Sequence, residues 1–301
     1  MMTRKPVTGG VLVPACSPCD AQDRFLETAF ADLLEAGMRE PLDGAYICGG
    51  TGDGMKMRLA ERKAAAEIGV EICHRHGKSA LVQVGAFTMR DALELATHAA
   101  ESGADGVSTV PLPGASHAQQ MQYYRALSET AGIPLILYYM PQPGVSFSLC
   151  EVLETLTVPG VTGVKSSTSD FFFTQQLIAE KPDGIAVFSG KDEYLAPAVI
   201  HGADGGIGMW ATVFPKAYAG IFRAAKAGDY QRAFTLQSTL NALCVVVMRR
   251  GLLQSFACIL HELGMHDRVF RTPAPQYDAA FAEAFMAEAG TLVERLRALD
   301  L

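Results

Sequence analysis

No apolar run in the 301-residue sequence approaches the ~20 residues that a helix needs to cross a bilayer. The longest runs, 133–140 and 244–248, fall far short of it. A cleavable leader is not expected either, because the apolar segment after Arg4 and Lys5 is cut short by Pro14 and Pro18. Basic charge is also scarce. Lys+Arg number 25 against 32 Asp+Glu, a formal net charge of -7 with no long basic cluster, which argues against nucleic acid as the main partner. No low-complexity tract or charge block marks a linker. What remains is 49% hydrophobic and only 19% charged, ample for a sizeable core and incompatible with disorder. A cytoplasmic globular protein with no membrane or nucleic-acid partner is expected.

Metal and redox chemistry find little support. The 7 cysteines, at 16, 19, 48, 73, 150, 244 and 258, are odd in number and scattered, so they read as reduced, mostly buried thiols. Cys16 and Cys19 form a C-x-x-C, but with no second pair and no nearby histidine a structural role is expected over a redox or metal one. His261 and His266 lie five apart, on different helical faces, and do not match H-E-x-x-H. Gly206-Ile-Gly-Met-Trp-Ala211 matches G-x-G-x-x-A. It lacks the βαβ unit that a dinucleotide fingerprint requires downstream.

Alternation organises the chain. β-rich runs at 10–15, 46–48, 80–84, 106–110, 134–140, 161–165, 184–188 and 205–209 alternate with helical patterns at 21–38, 57–75, 90–102, 118–130, 148–156, 170–180, 194–201 and 215–227. Ser146 or Ser148 is the candidate cap of the fifth helix, and Pro215 opens the eighth. Continuous apolar strands alternating with amphipathic helices mean a covered parallel sheet. Eight units favour closure into an α/β (β/α)8 TIM barrel over an open sheet. Residues 1–227 would form the barrel and 228–301 a C-terminal helical extension of the same unit.

In such barrels chemistry sits at the carboxyl ends of the strands. Lys165 ends the sixth strand there, among small and apolar neighbours. A partly desolvated lysine is the amine nucleophile of Schiff-base enzymes, although most strand-end lysines simply reach solvent. Tyr138 and Tyr139 end the fifth strand, and strand alternation turns only one of them inward. That one is either a proton carrier or a rim tyrosine. The turn at 49–54, Gly-Gly-Thr-Gly-Asp-Gly, exposes backbone N–H groups suited to a carboxylate, with Gly50 and Thr51 at its centre. It lacks the lysine of a P-loop. Asp192 and Glu193, after the seventh strand, either bind sugar hydroxyls or cap the next helix.

Taken together, these segments resemble the dihydrodipicolinate synthase and N-acetylneuraminate lyase family. The resemblance runs through Gly49-Gly-Thr-Gly-Asp53, Val84-Gly-Ala86, 99–106, Tyr138-Tyr-Met-Pro141, Gly163-Val-Lys165 and Gly202-Ala-Asp-Gly-Gly-Ile-Gly208. It covers nearly the whole chain. It implies a barrel whose Lys165 forms a Schiff base with pyruvate or another 2-oxo acid, needing no further cofactor, with Tyr138 as the catalytic tyrosine. It also implies that Thr51, with the backbone at Gly50, holds the carboxylate, and that Ile207 lines the same pocket through its backbone. Ser167, Gly190, Asp192 and Glu193 match positions where the lyase branch holds its sugar chain, and 190–193 looks more like the lyase than the synthase. Homotetramers are common in the family, so a homotetramer or dimer is expected.

Four departures stand out. Gly50 replaces the family's usual Ser or Thr, and the 111–117 segment is shorter and lacks an aromatic pair. Gln142 and Pro143 stand where the synthase has an arginine, and Met209 replaces a hydroxyl residue of the lyase. The reaction implied is formation or cleavage of the C3–C4 bond of a 2-oxo (sugar) acid. Dehydration or deamination through the same Schiff base is the alternative, as is a non-catalytic keto-acid-binding paralogue.

Overall fold

A computed structural model describes residues 7–141, 146–266 and 268–299. Arg4, Lys5, Gln142 and Pro143 lie outside the described residues. Among those described, eight strands occur in chain order: β1 (Gly10–Pro14), β2 (Gly44–Ile47), β3 (Ser79–Gln83), β4 (Gly106–Thr109), β5 (Leu135–Tyr139), β6 (Val161–Ser166), β7 (Ala186–Ser189) and β8 (Gly205–Gly206). Each pairs in parallel with its sequence neighbour, and β1 pairs with β8 to close the barrel. Between and after them run α1 (Glu27–Arg39), α2 (Leu59–Arg75), α3 (Met89–Glu101), α4 (His117–Ala131), α5 (Leu149–Thr155), α6 (Phe171–Glu180), α7 (Leu195–Ile200) and α8 (Pro215–Lys226). Three further helices follow: α9 (Tyr230–Arg250), α10 (Leu252–Glu262) and α11 (Ala279–Arg297). No helix among the described residues is long and apolar enough to cross a membrane.

Strand pleat sorts the side chains into two cores. Leu12, Tyr46, Leu81, Ile136, Tyr138, Ala186 and Phe188 point inward and fill the barrel. Their neighbours Val13, Ile47, Val82, Leu137, Tyr139 and Val187 point outward and pack beneath the helices. That two-sided burial is why the strands read as continuous apolar runs rather than alternating ones.

Differences from the sequence pattern have local causes. The first helix begins at Glu27 rather than residue 21, because Asp20 accepts the backbone N–H groups of Gln22 and Arg24 and Asp23 takes a left-handed φ of 61°. That turn brings Cys19 to an antiparallel bridge with Phe25. Ser148, not Ser146, caps α5 by accepting the N–H of Glu151. The eighth strand ends at Gly206 rather than 209, because Met209–Ala211 winds into a 3-10 turn.

Three Asp-Gly pairs, a composition that usually signals turns, instead begin even-numbered strands at the amino end of the barrel. Asp43 accepts the N–H of Val11, Asp105 that of Ala80 and Asp204 that of Val187, each at 2.8 Å. Each of these donors lies on the preceding odd strand, so the three carboxylates clamp the strand pairs from below. Asp105 is 2% exposed and also meets Nε2 of His74 at 3.0 Å.

Asp105→Ala leaves the Ala80 N–H buried without an acceptor, which should lower unfolding free energy by roughly 2 kcal/mol. This face carries stability rather than chemistry, so turnover of the folded variant should be unchanged. Denaturant unfolding checks it; a stability loss under about 0.5 kcal/mol would dismiss the clamp.

Candidate active site

Strand register assembles the centre. On β5 and β6, Tyr138 sits directly across from Lys165, and Tyr139 from Ser166. Inward-facing positions on adjacent strands therefore meet above the barrel core. Lys165 is only 5% exposed, with Nζ 4.1 Å from the centroid of the Tyr138 ring and 4.6 Å from that of Tyr46. The two rings stand edge to face, 6.1 Å apart. Tyr46 donates its hydroxyl to Oγ of Ser108 at 3.2 Å, and burial pushes its pKa well up. No carboxylate forms an ion pair with Lys165 among the described residues, so its amine lies against aromatic faces rather than a counter-ion.

The open choice between the two tyrosines is settled by their surroundings. Tyr138 belongs to the interior cluster and its hydroxyl reaches Sδ of Met140 at 3.6 Å. Tyr139 faces the helices, donating to the carbonyl of Phe147 and stacking on Phe173 at 5.0 Å.

The glycine turn after β2 is fixed from both sides. Asp53 donates its N–H to the carbonyl of Gly50, and Gly54 to that of Gly49. The Asp53 carboxylate in turn accepts the N–H of Arg271 at 2.7 Å. Among the described residues the N–H groups of Gly50 and Thr51 donate to no protein acceptor. The Gly49 and Gly52 N–H groups are likewise without one among the described residues, so the turn carries several free donors, which suits a carboxylate guest. A Cβ placed on Gly50 would meet only the Tyr138 hydroxyl, at 4.0 Å. A side chain is therefore sterically possible there.

The segment after β7 supplies the opposite side. Asp192 accepts the N–H groups of Met209 and Trp210, both at 3.2 Å, so it caps the 3-10 turn after β8 rather than its own helix. Loss of hydration pushes its pKa up to about 7; Glu193 adds to the rise, whereas Lys165 and the two N–H groups oppose it. Glu193 pairs with Lys191 at 3.5 Å. Side-chain amides of Gln237 and Asn241 on α9 hold the carbonyls of Asp192 and Glu193. Gly190 is glycine for a reason of space: a Cβ there would lie 2.9 Å from Cε of Lys165 and 3.1 Å from the carbonyl oxygen of Ser166. Gly208 likewise leaves room for Asp192 and the Tyr218 hydroxyl. That close approach accounts for the G-x-G spacing near β8.

A cavity of about 280 Å³ joins these parts. Gly50, Thr51, Tyr138, Lys165, Ser167, Gly190, Asp192, Glu193 and Ile207 all line it. Sequence reasoning did not single out Tyr46, nor the contribution of α9 and α10, whose Val247, Met248 and Leu252 form the outer wall. Tyr46 was detectable in principle from its inward parity on β2. The helical residues had no such signal, because their distance from the strands in sequence hides their position over the mouth. Cys16 and Cys19 lie outside the cavity lining. Burial pushes the Cys16 thiol up to about 12, and Cys19 Sγ lies 3.8 Å and 3.9 Å from the carbonyl oxygens of Arg268 and Phe270. His261 stacks on Tyr277, and no group of three or more potential metal ligands gathers among the described residues.

Comparison with known proteins points the same way. The family model for the dihydrodipicolinate synthetase family matches residues 7–289. The chain is similar to an N-acetylneuraminate lyase of Escherichia coli, 31% identical over 262 residues that make up 84% of this chain and 86% of the relative. Among solved structures it superposes on the N-acetylneuraminate lyase of Fusobacterium nucleatum with a TM-score of 0.85, at 24% identity over 95% of this chain and 99% of the other. It also superposes on the dihydrodipicolinate synthase of Aquifex aeolicus with a TM-score of 0.86, at 21% identity over 94% and 97%. Those two superpositions bear on the fold alone.

The raised pKa of Asp192 has a stability consequence. A carboxyl whose folded pKa lies above its unfolded value of 3.8 favours folding below that value, and the contribution is lost as pH rises through about 7. Asp192→Asn removes this titration. Measured by urea unfolding, wild type should lose stability relative to the variant between about pH 4 and pH 8. A stability gap that does not change with pH counts against the assignment.

Proposed function

The chain belongs to the dihydrodipicolinate synthetase family and is a lyase of that kind, and from this premise we propose that Lys165 forms a Schiff base with a 2-oxo acid and that the enzyme cleaves or forms its C3–C4 bond. The observation that carries the proposal is a buried Lys165, without an ion pair among the described residues and set against the Tyr138 ring, in a cavity shared with a turn whose Gly50 and Thr51 N–H groups are unengaged.

In the cleavage direction, Gly50 and Thr51 would hold the substrate carboxylate. Lys165, as the free amine, adds to the C2 carbonyl. Tyr138 gives its proton to the departing hydroxide, so water leaves and a cationic iminium forms. The resulting phenolate takes the proton of the C4 hydroxyl. The C3–C4 bonding pair then moves into the iminium, releasing an aldehyde and leaving an enamine. Protonation at C3 by Tyr138 and readdition of water return the free lysine and release pyruvate. Each proton that Tyr138 lends is recovered within the cycle. The unit that performs this includes residues 1–227 as the barrel and 228–301 as the helical extension closing its mouth. Assembly as a homotetramer or dimer and a cytoplasmic location belong to the same proposal, as does operation without an added cofactor.

Borohydride should trap pyruvate on wild type and not on Lys165→Ala; adduct on another lysine would refute the assignment. Tyr138→Phe should reduce kcat by about 100-fold or more while changing pyruvate affinity little. An unaltered kcat excludes the proton role. At position 50 there is space for a hydroxyl within reach of Tyr138. Gly50→Ser should therefore raise kcat severalfold with pyruvate affinity nearly unchanged, and a fall in kcat would show that the added group obstructs the site. Steady-state kinetics over a panel of 2-oxo acids, with product identification, separates aldol cleavage from dehydration or deamination.

A further inference from the structure

Two unlike sets of groups line the cavity that contains Lys165. On the β7 side the acidic groups are already engaged by the protein: Asp192 by the Met209 and Trp210 N–H groups, Glu193 by Lys191. The Ser167 hydroxyl is the exception, buried and without a partner. Met140, Met209, Val247, Met248 and Leu252, drawn from the end of β5, the 3-10 turn, α9 and α10, supply an apolar wall. None offers a hydrogen bond beyond a weak thioether acceptor. Val247 is 1% exposed, while Met248 and Leu252 remain 56% and 38% exposed.

A polyhydroxylated chain lying across this wall would leave hydroxyls desolvated without partners. A hydrocarbon or aryl group would bury the same surface favourably, and methionine adapts to irregular apolar shapes. We infer that the group carried on C4 of the substrate, released as the aldehyde, is alkyl or aryl rather than a polyhydroxylated sugar chain, with Ser167 serving one polar atom near C4. This rests on the Schiff-base reading above and names the substrate class for the same site. Met209 is its main determinant on the 3-10 turn, because its backbone N–H engages the Asp192 carboxylate and its residue lines the cavity with an apolar side chain.

The test runs in the synthetic direction with pyruvate as donor and two series of acceptors: benzaldehyde and hexanal against N-acetylmannosamine and arabinose. Wild type should use the apolar series with a kcat/KM at least about tenfold higher. Met209→Ser should narrow that ratio by about tenfold or reverse it. Leu252→Gln, at a rim position that tolerates exposure, should narrow it as well and guards against a Met209 variant that fails to fold. A wild-type preference for the polyhydroxylated series, with pyruvate still trapped on Lys165, overturns the inference and leaves the Schiff-base reading standing. Trapping without turnover of either series also overturns it. Loss of trapping overturns both.

Discussion

The pairing of Tyr138 with Lys165 across β5 and β6 is the constraint on which the site depends. In a closed parallel barrel each strand presents only alternate residues to the interior, and adjacent strands lie about 4.8 Å apart. A register shift of one residue would turn Lys165 toward the helices and bring Ser166 inward, and the same shift on β5 would exchange Tyr138 for Tyr139. The core enforces the register. Ile136 and Tyr138 on one strand, with Ala186 and Phe188 across β6, share the interior cluster that any slip would expose. Placement of the Lys165 amine against two aromatic rings is thus a consequence of ordinary apolar packing below it.

A second dependence runs through the segment after β7. Asp192 holds the 3-10 turn that ends β8 prematurely, and that turn carries Met209 into the cavity wall. The approach works only because Gly208 has no side chain, since a Cβ there would lie 2.1 Å from Oδ1 of Asp192 and 2.3 Å from the Tyr218 hydroxyl. Gln237 and Asn241 fix the same segment from α9. The C-terminal helices therefore do two things at once: they hold the carboxylate segment in place and supply the outer wall. Their influence on the cavity follows from packing rather than from any motif.

How much of this was legible in the sequence depends on the range over which each signal acts. The barrel was legible because eight apolar runs and eight amphipathic stretches repeat with local periodicity, and Lys165 because it terminates one of those runs. Tyr138 and Tyr139 could not be told apart until the strand's parity was anchored by its neighbours. The start of α1 falls later than the pattern predicts because Asp23 takes a left-handed φ and the Asp20 N–H donates to the Arg24 carbonyl, closing a turn in place of the helix's first residues. The role of Asp192 was half legible. Capping was foreseen, but the capped turn lies 17 residues further on, and no local pattern encodes that contact. Val247, Met248 and Leu252 were invisible for the same reason.

Set end to end, the barrel is polarised in how its polar groups are satisfied. At the amino ends of the strands, Asp43, Asp105 and Asp204 each accept a strand N–H, and Asp105 and Asp204 are further paired with His74 and Lys181. At the carboxyl ends, Lys165 has no ion pair, the Gly50 and Thr51 N–H groups have no protein acceptor, and the hydroxyls of Ser166, Ser167 and Tyr218 are buried without partners among the described residues. Unsatisfied buried polar atoms cost stability, so those at the carboxyl ends have to be supported elsewhere. The saturated clamps and the two-sided apolar strands provide that support. A mouth of unpaired donors and one unpaired amine is then sustained on a rigid base, which is the arrangement that recognition of a small anion and attack on its carbonyl require.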